Sequence, residues 1–190
     1  MGNILFFLYW LLTTPLVLAG NGVLWVLGYD VTSNATVVAE SLVPRKADAS
    51  DCSHIYFFSN IMGPTVGEVR SSCIHEYAKL TQNPSACELL LPGEYGLSCI
   101  NDVVAQEYKD HPDAGFFDFK ECSKVQQDPL REDWCNFVRA HRSRKTADCS
   151  PIHNDVIRAG CRVKFEAWEK YPSLRRSFYF GKSSSPEAAQ

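Results

Sequence analysis

Eight cysteines constrain this chain more than any other feature. They stand at positions 52, 73, 87, 99, 122, 135, 149 and 161 of 190 residues and include no CxxC pair, the close spacing that structural zinc and thioredoxin-like redox chemistry use. Cys73, Cys87 and Cys99 recur as Cys135, Cys149 and Cys161 at one constant offset of 62 residues. Ala78 and Ala140 keep the same offset, as do the apolar residues Leu90 and Ile152, so the segment reads as a duplicated unit. An even count in a repeated pattern leaves no thiol over for a nucleophile, and it favours disulfides made in an oxidising compartment.

A finer repeat lies inside the larger one. The first cysteine of each successive pair is followed three residues later by an apolar side chain: Cys52/Ile55, Cys87/Leu90, Cys122/Val125 and Cys149/Ile152. Helix breakers such as Gly63-Pro64, Asn83-Pro84, Pro92-Gly93, His111-Pro112, Asp128-Pro129 and Ser150-Pro151 separate segments of helix size. Thr65 to Glu68 is a capping-box pattern, Asp128 before Pro129 is a helix start, and Asn154-Asp155 is another. Long helices are expected over 66–82, 94–109, 129–143 and 155–170, with shorter ones near 51–60, 84–91, 119–127 and 147–152. The expected fold is all-α: an N-terminal hydrophobic helix plus a disulfide-stapled tandem helical repeat domain. Repeat 1 covers 51–110, repeat 2 covers 111–171, and a polar tail follows over 172–190. The finer repeat makes four copies of short helix, turn and long helix, two in each repeat, and in each copy one bridge would staple the short helix to the long one, as 52–73, 87–99, 122–135 and 149–161. The rival arrangement closes the hairpins as 73–87 and 135–149.

Arginine also has a place in the pattern. Arg70 stands three residues before Cys73 and Arg158 three before Cys161, while Arg131 stands four before Cys135 and Gly96 takes the place before Cys99. The spacing C-x-x-[IV]…R-x-x-C…A…C, over Cys52 to Cys161, resembles a class of exported all-helical cysteine-repeat proteins of unknown function from small-genome bacteria and archaea. That resemblance implies an exported helical domain and no particular activity.

The N-terminus sets the location. Ile4 to Leu27 is a run of 24 residues without a charge, which as a helix reaches about 36 Å against a hydrocarbon core of ~30 Å. Residues 1–29 therefore read as a transmembrane signal anchor with the membrane crossed by 4–27; the alternative is a signal peptide ending at about 19. Arg45 and Lys46 favour a cytoplasmic C-terminal part by the positive-inside rule, whereas the cysteines favour the opposite side, and eight cysteines outweigh two charges. The rest of the chain is expected to be extracytoplasmic, or secreted if the leader is cleaved. Residues 30–50 read as a stalk, with a glycosylation sequon at Asn34-Ala35-Thr36. Met1-Gly2-Asn3 opens like a myristoylation signal, but Phe6 stands where Ser or Thr is needed.

Charge and motifs then limit the function. With 19 Lys+Arg against 22 Asp+Glu the net charge is -3, which gives no case for nucleic acid as a partner. The chain carries no GxSxG, HExxH, Walker loop or GxGxxG, and no catalytic residues are expected. Five histidines accompany the cysteines, yet the closest metal-type pairings, Cys52-Ser53-His54 and Cys73-Ile74-His75, do not recur at the offset of 62, where position 137 is Phe. No metal or cofactor is expected.

Two candidate binding features remain. Arg139, His141, Arg142, Arg144 and Lys145 cluster near a helix end, where cations suit the negative pole of the macrodipole or meet anionic lipid, glycan or an acidic partner protein. Phe165, Trp168 and Tyr171, followed by Phe178-Tyr179-Phe180, form a stripe that serves as core or as a docking face for a neighbouring subunit or the membrane interface. Together these features point to a non-catalytic, membrane-anchored or secreted domain with a binding or structural role and a protein partner. The alternatives are an accessory subunit of a larger membrane complex and a metal- or thiol-redox-handling domain.

Overall fold

The computed structural model describes residues 2–59, 63–107 and 129–174, with the backbone alone for residues 2–8 and 10. The chain divides into two compact units at Leu80/Thr81. The first holds α1 (Gly2–Val26), α2 (Ala35–Leu42), the 3₁₀ helix η1 (Ala49–His54) and α3 (Val66–Leu80). The second holds η2 (Pro84–Leu90), α4 (Glu94–Gln106), α5 (Pro129–Ser143), η3 (Thr146–Cys149) and α6 (Asp155–Lys170). Among the described residues there is no strand; the one extended pairing is an isolated bridge between Asp30 and Ile55.

The long helices fall where the breakers and caps put them. Glu68 N–H donates to Thr65 Oγ1 while Thr65 N–H donates to Glu68 Oε2, closing the expected capping box ahead of α3. The Thr65 amide and then its hydroxyl, both donating to Glu68 Oε2, hold the Glu68 carboxyl below the usual carboxylate range. Asn154 Oδ1 accepts from the Val156 and Ile157 amides and starts α6. The short segments are single 3₁₀ pieces, capped by Asp48 at η1 and Asn83 at η2. Asp128, the expected start of α5, and the short helix expected near 119–127 lie outside the described residues, as does the repeat boundary expected at 110/111.

Residues 30–50 depart from the stalk reading. Asn34 caps α2, and Val38, Ala39 and Leu42 pack into one core with Cys52, Ile55, Phe57, Val69 and Cys73. The stripe 35, 38, 39, 42 is a helical one, short enough to be lost among Thr, Ser and Ala. Burying that stripe is what holds so short a helix in place.

Three bridges, Cys52–Cys73, Cys87–Cys99 and Cys149–Cys161, each join a 3₁₀ helix to a long α-helix, with Cα separations of 5.9, 5.8 and 5.8 Å. They match the expected pairing and replace the hairpin arrangement at these positions. Cys135 is disulfide-bonded; its expected partner, Cys122, lies outside the described residues.

The arginines explain the rest of the spacing. Arg70 Nε donates to the Ile55 carbonyl at 2.7 Å, and Arg158 Nη1 donates to the Ile152 carbonyl at 3.0 Å. In both corners the residue three before the second cysteine thus reaches the backbone of the residue three after the first. Ile55 and Ile152 are themselves fully buried, so their carbonyls need a donor from within the protein. In the Cys87–Cys99 corner Gly96 holds the arginine's position, and a Cβ there would lie 3.1 Å from the Leu90 carbonyl carbon and 2.7 Å from Leu91 Cδ2. Backbone meets backbone directly, and there is no room for a side chain.

In the second unit α4 and α6 pack against each other through Ile100, Val104 and Gly160, where an added Cβ would run into Val104 Cγ2. Leu97, Ile100, Val103 and Val104 from α4, Phe137 and Ala140 from α5, and Ile157, Phe165 and Trp168 from α6 are buried.

Candidate binding surfaces

The aromatic stripe of α6 is divided by the fold. Phe165 and Trp168 are only 1% and 4% exposed and meet edge to face at 5.2 Å, so they are core and not a docking face. Tyr171 is half-buried beside Lys170 Nζ. Phe178, Tyr179 and Phe180 lie outside the described residues.

The basic cluster is brought together by the last turns of α5 and the turn that follows. Arg139, Arg142 and Lys145 are exposed, whereas His141 and Arg144 are half-buried. His141 turns inward, its ring 5.2 Å from that of Trp168. Burial first, then the nearby charges of Lys164 and Arg144, pull its pKa down to about 4, so the imidazole is neutral at pH 7. The remaining side chains make a cationic surface at the helix C-terminus. An open groove of about 480 Å³ lies in the same unit, where Thr146, Cys149 and Ser150 face Arg158 and Arg162 of α6. Both arginines are engaged, Arg158 with Asp155 and Arg162 with Glu166.

Beneath the cluster sits Lys164, which the sequence reading passed over. It is 3% exposed; its Nζ donates to Asn101 Oδ1 at 2.8 Å and lies 5.4 and 5.5 Å from the ring centres of Phe137 and Trp168. Burial lowers its pKa to about 8. The amine joins α4, α5 and α6. Asp133 is likewise buried and accepts the His153 and Asn154 amides, each at 2.7 Å, while Asn154 Nδ2 donates to Glu107 Oε2. Two carboxylates therefore face the N-terminus of α6, where the macrodipole favours them.

The first unit carries an open cleft of about 730 Å³ where the end of α1 meets α2 and η1. Trp25, Tyr29, Asp30, Arg45, Asp51 and His54 are among its lining residues. Cys52 and Cys73, of the two metal-type pairings, are bonded to each other and present no thiolate. Among the described residues no group of three His, Cys, Asp or Glu side chains is placed to hold a metal ion.

Helix α1 is apolar, and among its described side chains most are uncovered. It has 25 residues, no charge and an internal Pro15. Among the described residues no helix is long and apolar enough to cross a membrane; the continuous run of described α1 side chains is Leu11 to Val26, which at ~1.5 Å per residue covers about 24 Å.

No family model, curated protein or solved structure matches the chain.

Proposed function

We propose that the chain is a non-catalytic, extracytoplasmic helical domain, held together by disulfides and tethered to a membrane by α1, whose role is to present a binding or structural surface. The observation that carries this reading is the repeated corner, in which each described bridge fixes a 3₁₀ helix to a long helix. Bridges of this kind hold a shape without a large core, and they persist where thiols are oxidised. The recurrence at an offset of 62 residues supports a tandem duplication as the origin of the corners. Arg139, Arg142 and Lys145 supply the surface that an acidic partner protein would meet.

Thiol titration of the denatured, unreduced protein tests the compartment and the fold together: no free thiol is expected, and eight free thiols would overturn the reading. Reversing the charges of Arg139, Arg142 and Lys145 should abolish capture of the partner without unfolding the domain; unchanged capture removes the basic surface from the proposal.

One observation favours a second reading, an accessory subunit of a larger membrane complex. Leu12, Leu16, Val23, Trp25 and Val26 of α1 are each more than 60% exposed, a contiguous apolar surface that needs either lipid or protein around it. Particle size after gentle detergent extraction separates the two: a complex far larger than one chain supports the subunit reading.

A further inference from the structure

The segment after η1 runs extended with alternating faces. Ile55 and Phe57 point into the core at 0% and 6% exposure, while Tyr56 and Phe58 point outward at 42% and 51%. Two polar clamps hold this segment, one at Asp30 beyond the end of α1 and one on α1 itself. Tyr56 N–H donates to the Asp30 carbonyl at 2.9 Å. Further up the helix Asn21 bonds Phe58 in both directions, accepting the Phe58 amide at 2.6 Å through Oδ1 and donating through Nδ2 to its carbonyl at 3.1 Å. The Phe58 ring lies so close over Gly20 that a Cβ there would come within 2.6 Å of its Cδ2. Tyr29, Tyr56 and Phe58 form a row with ring centres 5.8 and 6.5 Å apart, and the Arg70 guanidinium sits 5.7 Å from the Tyr56 ring.

We infer that Tyr56 and Phe58, with Tyr29 and Trp25, form an aromatic lip that sits in the polar–apolar interface of a lipid bilayer beside α1. The inference rests on the reading of α1 as a membrane segment and adds a second, non-contiguous piece of chain to it. Three observations carry it. The rings are exposed and continuous with the uncovered apolar side chains of α1, and Trp and Tyr are the residues that bilayer interfaces collect. Gly20 lies six residues before the end of α1, so at ~1.5 Å per residue Phe58 sits about 9 Å inward from that end, the depth of an interfacial side chain. Finally, irregular backbone at that depth is tolerated only where protein satisfies it. Asn21 does this for Phe58, and the same two bonds satisfy the one carboxamide in this part of an otherwise apolar helix.

A photo-reactive benzoylphenylalanine placed singly at position 58, 16 or 80 of the full chain, in phosphatidylcholine nanodiscs, tests the lip. Leu16 reports on α1, and Leu80, exposed at the far end of α3, is the control. Lipid adducts are expected at 16 and 58 and only background at 80. Asn21→Leu should reduce the adduct at 58 to the level at 80 while leaving that at 16 intact. Adducts at 16 with none at 58 would overturn the lip and leave the anchor standing; none at either position would overturn both. A protein–protein adduct at 58 would overturn the lip in favour of an interface between chains.

Discussion

The corner closed by Cys52–Cys73 and the corner closed by Cys87–Cys99 have the same parts, a 3₁₀ helix, a turn and a long helix. They satisfy the turn differently. In the first, the long helix stands off far enough for Arg70 to reach back and donate to the Ile55 carbonyl. In the second, Gly96 brings the helix backbone against Leu90 and leaves no space for a side chain. Their sequence separations are 21 and 12 residues. The Cys149–Cys161 corner also has a separation of 12 yet keeps its arginine. Loop length therefore does not dictate the choice; the residue three before the second cysteine does.

The largest expected effect comes from opening the bridges. Replacing Cys52 and Cys73 by Ser, or Cys87 and Cys99 by Ser, should cost about 3 kcal/mol in either corner, slightly more for the longer loop. Urea midpoints of the full chain in mild detergent would show it, and an effect much below ~1 kcal/mol would mean that the corner is held without its staple. The exchange of solutions comes next. Gly96→Arg should destabilise by about 2 kcal/mol through overpacking against Leu90 and Leu91; a neutral outcome would break the distinction between the corners. Arg70→Met should cost about 1.5 kcal/mol or more by leaving a buried carbonyl without its charged donor. Arg158→Met should cost nearer 1 kcal/mol, because its side chain is 41% exposed and its charge is shared with Asp155.

These corners also show where the sequence was legible. The bridges were legible in part: the repeated spacing puts one cysteine on a short segment and the next on a long helix, but it left the hairpin pairing open, and the fold decides between the two. The arginine position could be counted in the sequence, but not its purpose, since the acceptor is a main-chain oxygen that no residue identity encodes. Gly96 looked like a defect in the pattern until its distance to Leu90 was known. The stalk reading failed at α2 because four small and apolar residues at helical spacing carry little signal until a core exists to receive them. Lys164 and Asn21 were hidden for a related reason: Asn21 is one polar residue in an apolar run and Lys164 one charge among Arg162, Glu166 and Glu169, and only the fold supplies Phe58 or Asn101 to meet them.

A smaller and pH-dependent effect separates the units. Lys164, with its pKa lowered from 10.5 to about 8, binds its proton less readily folded than unfolded, so its contribution to stability rises with pH between about 8 and 10.5. His141, lowered from 6.5 to about 4, is also depressed, so stability is lost as pH falls from about 6.5 towards 4. Melting temperatures across pH should flatten in the alkaline limb for Lys164→Met and in the acid limb for His141→Gln. Both groups belong to the second unit. An unchanged profile in either variant would place the titration elsewhere. The smallest effect is expected at the surface: Arg139→Gln, Arg142→Gln and Lys145→Gln should each move stability by no more than about 0.5 kcal/mol.

The order of the bridges carries a consequence for how the chain is made. Cys52 pairs with Cys73, Cys87 with Cys99, and Cys149 with Cys161; in every case a cysteine joins the next one along the chain. A polypeptide threaded through a translocation pore N-terminus first would present each partner before any later cysteine competes for it. In a chain exported as proposed, oxidation in order of emergence would yield these pairs directly, without reshuffling, and each corner would close while the following one was still being synthesised.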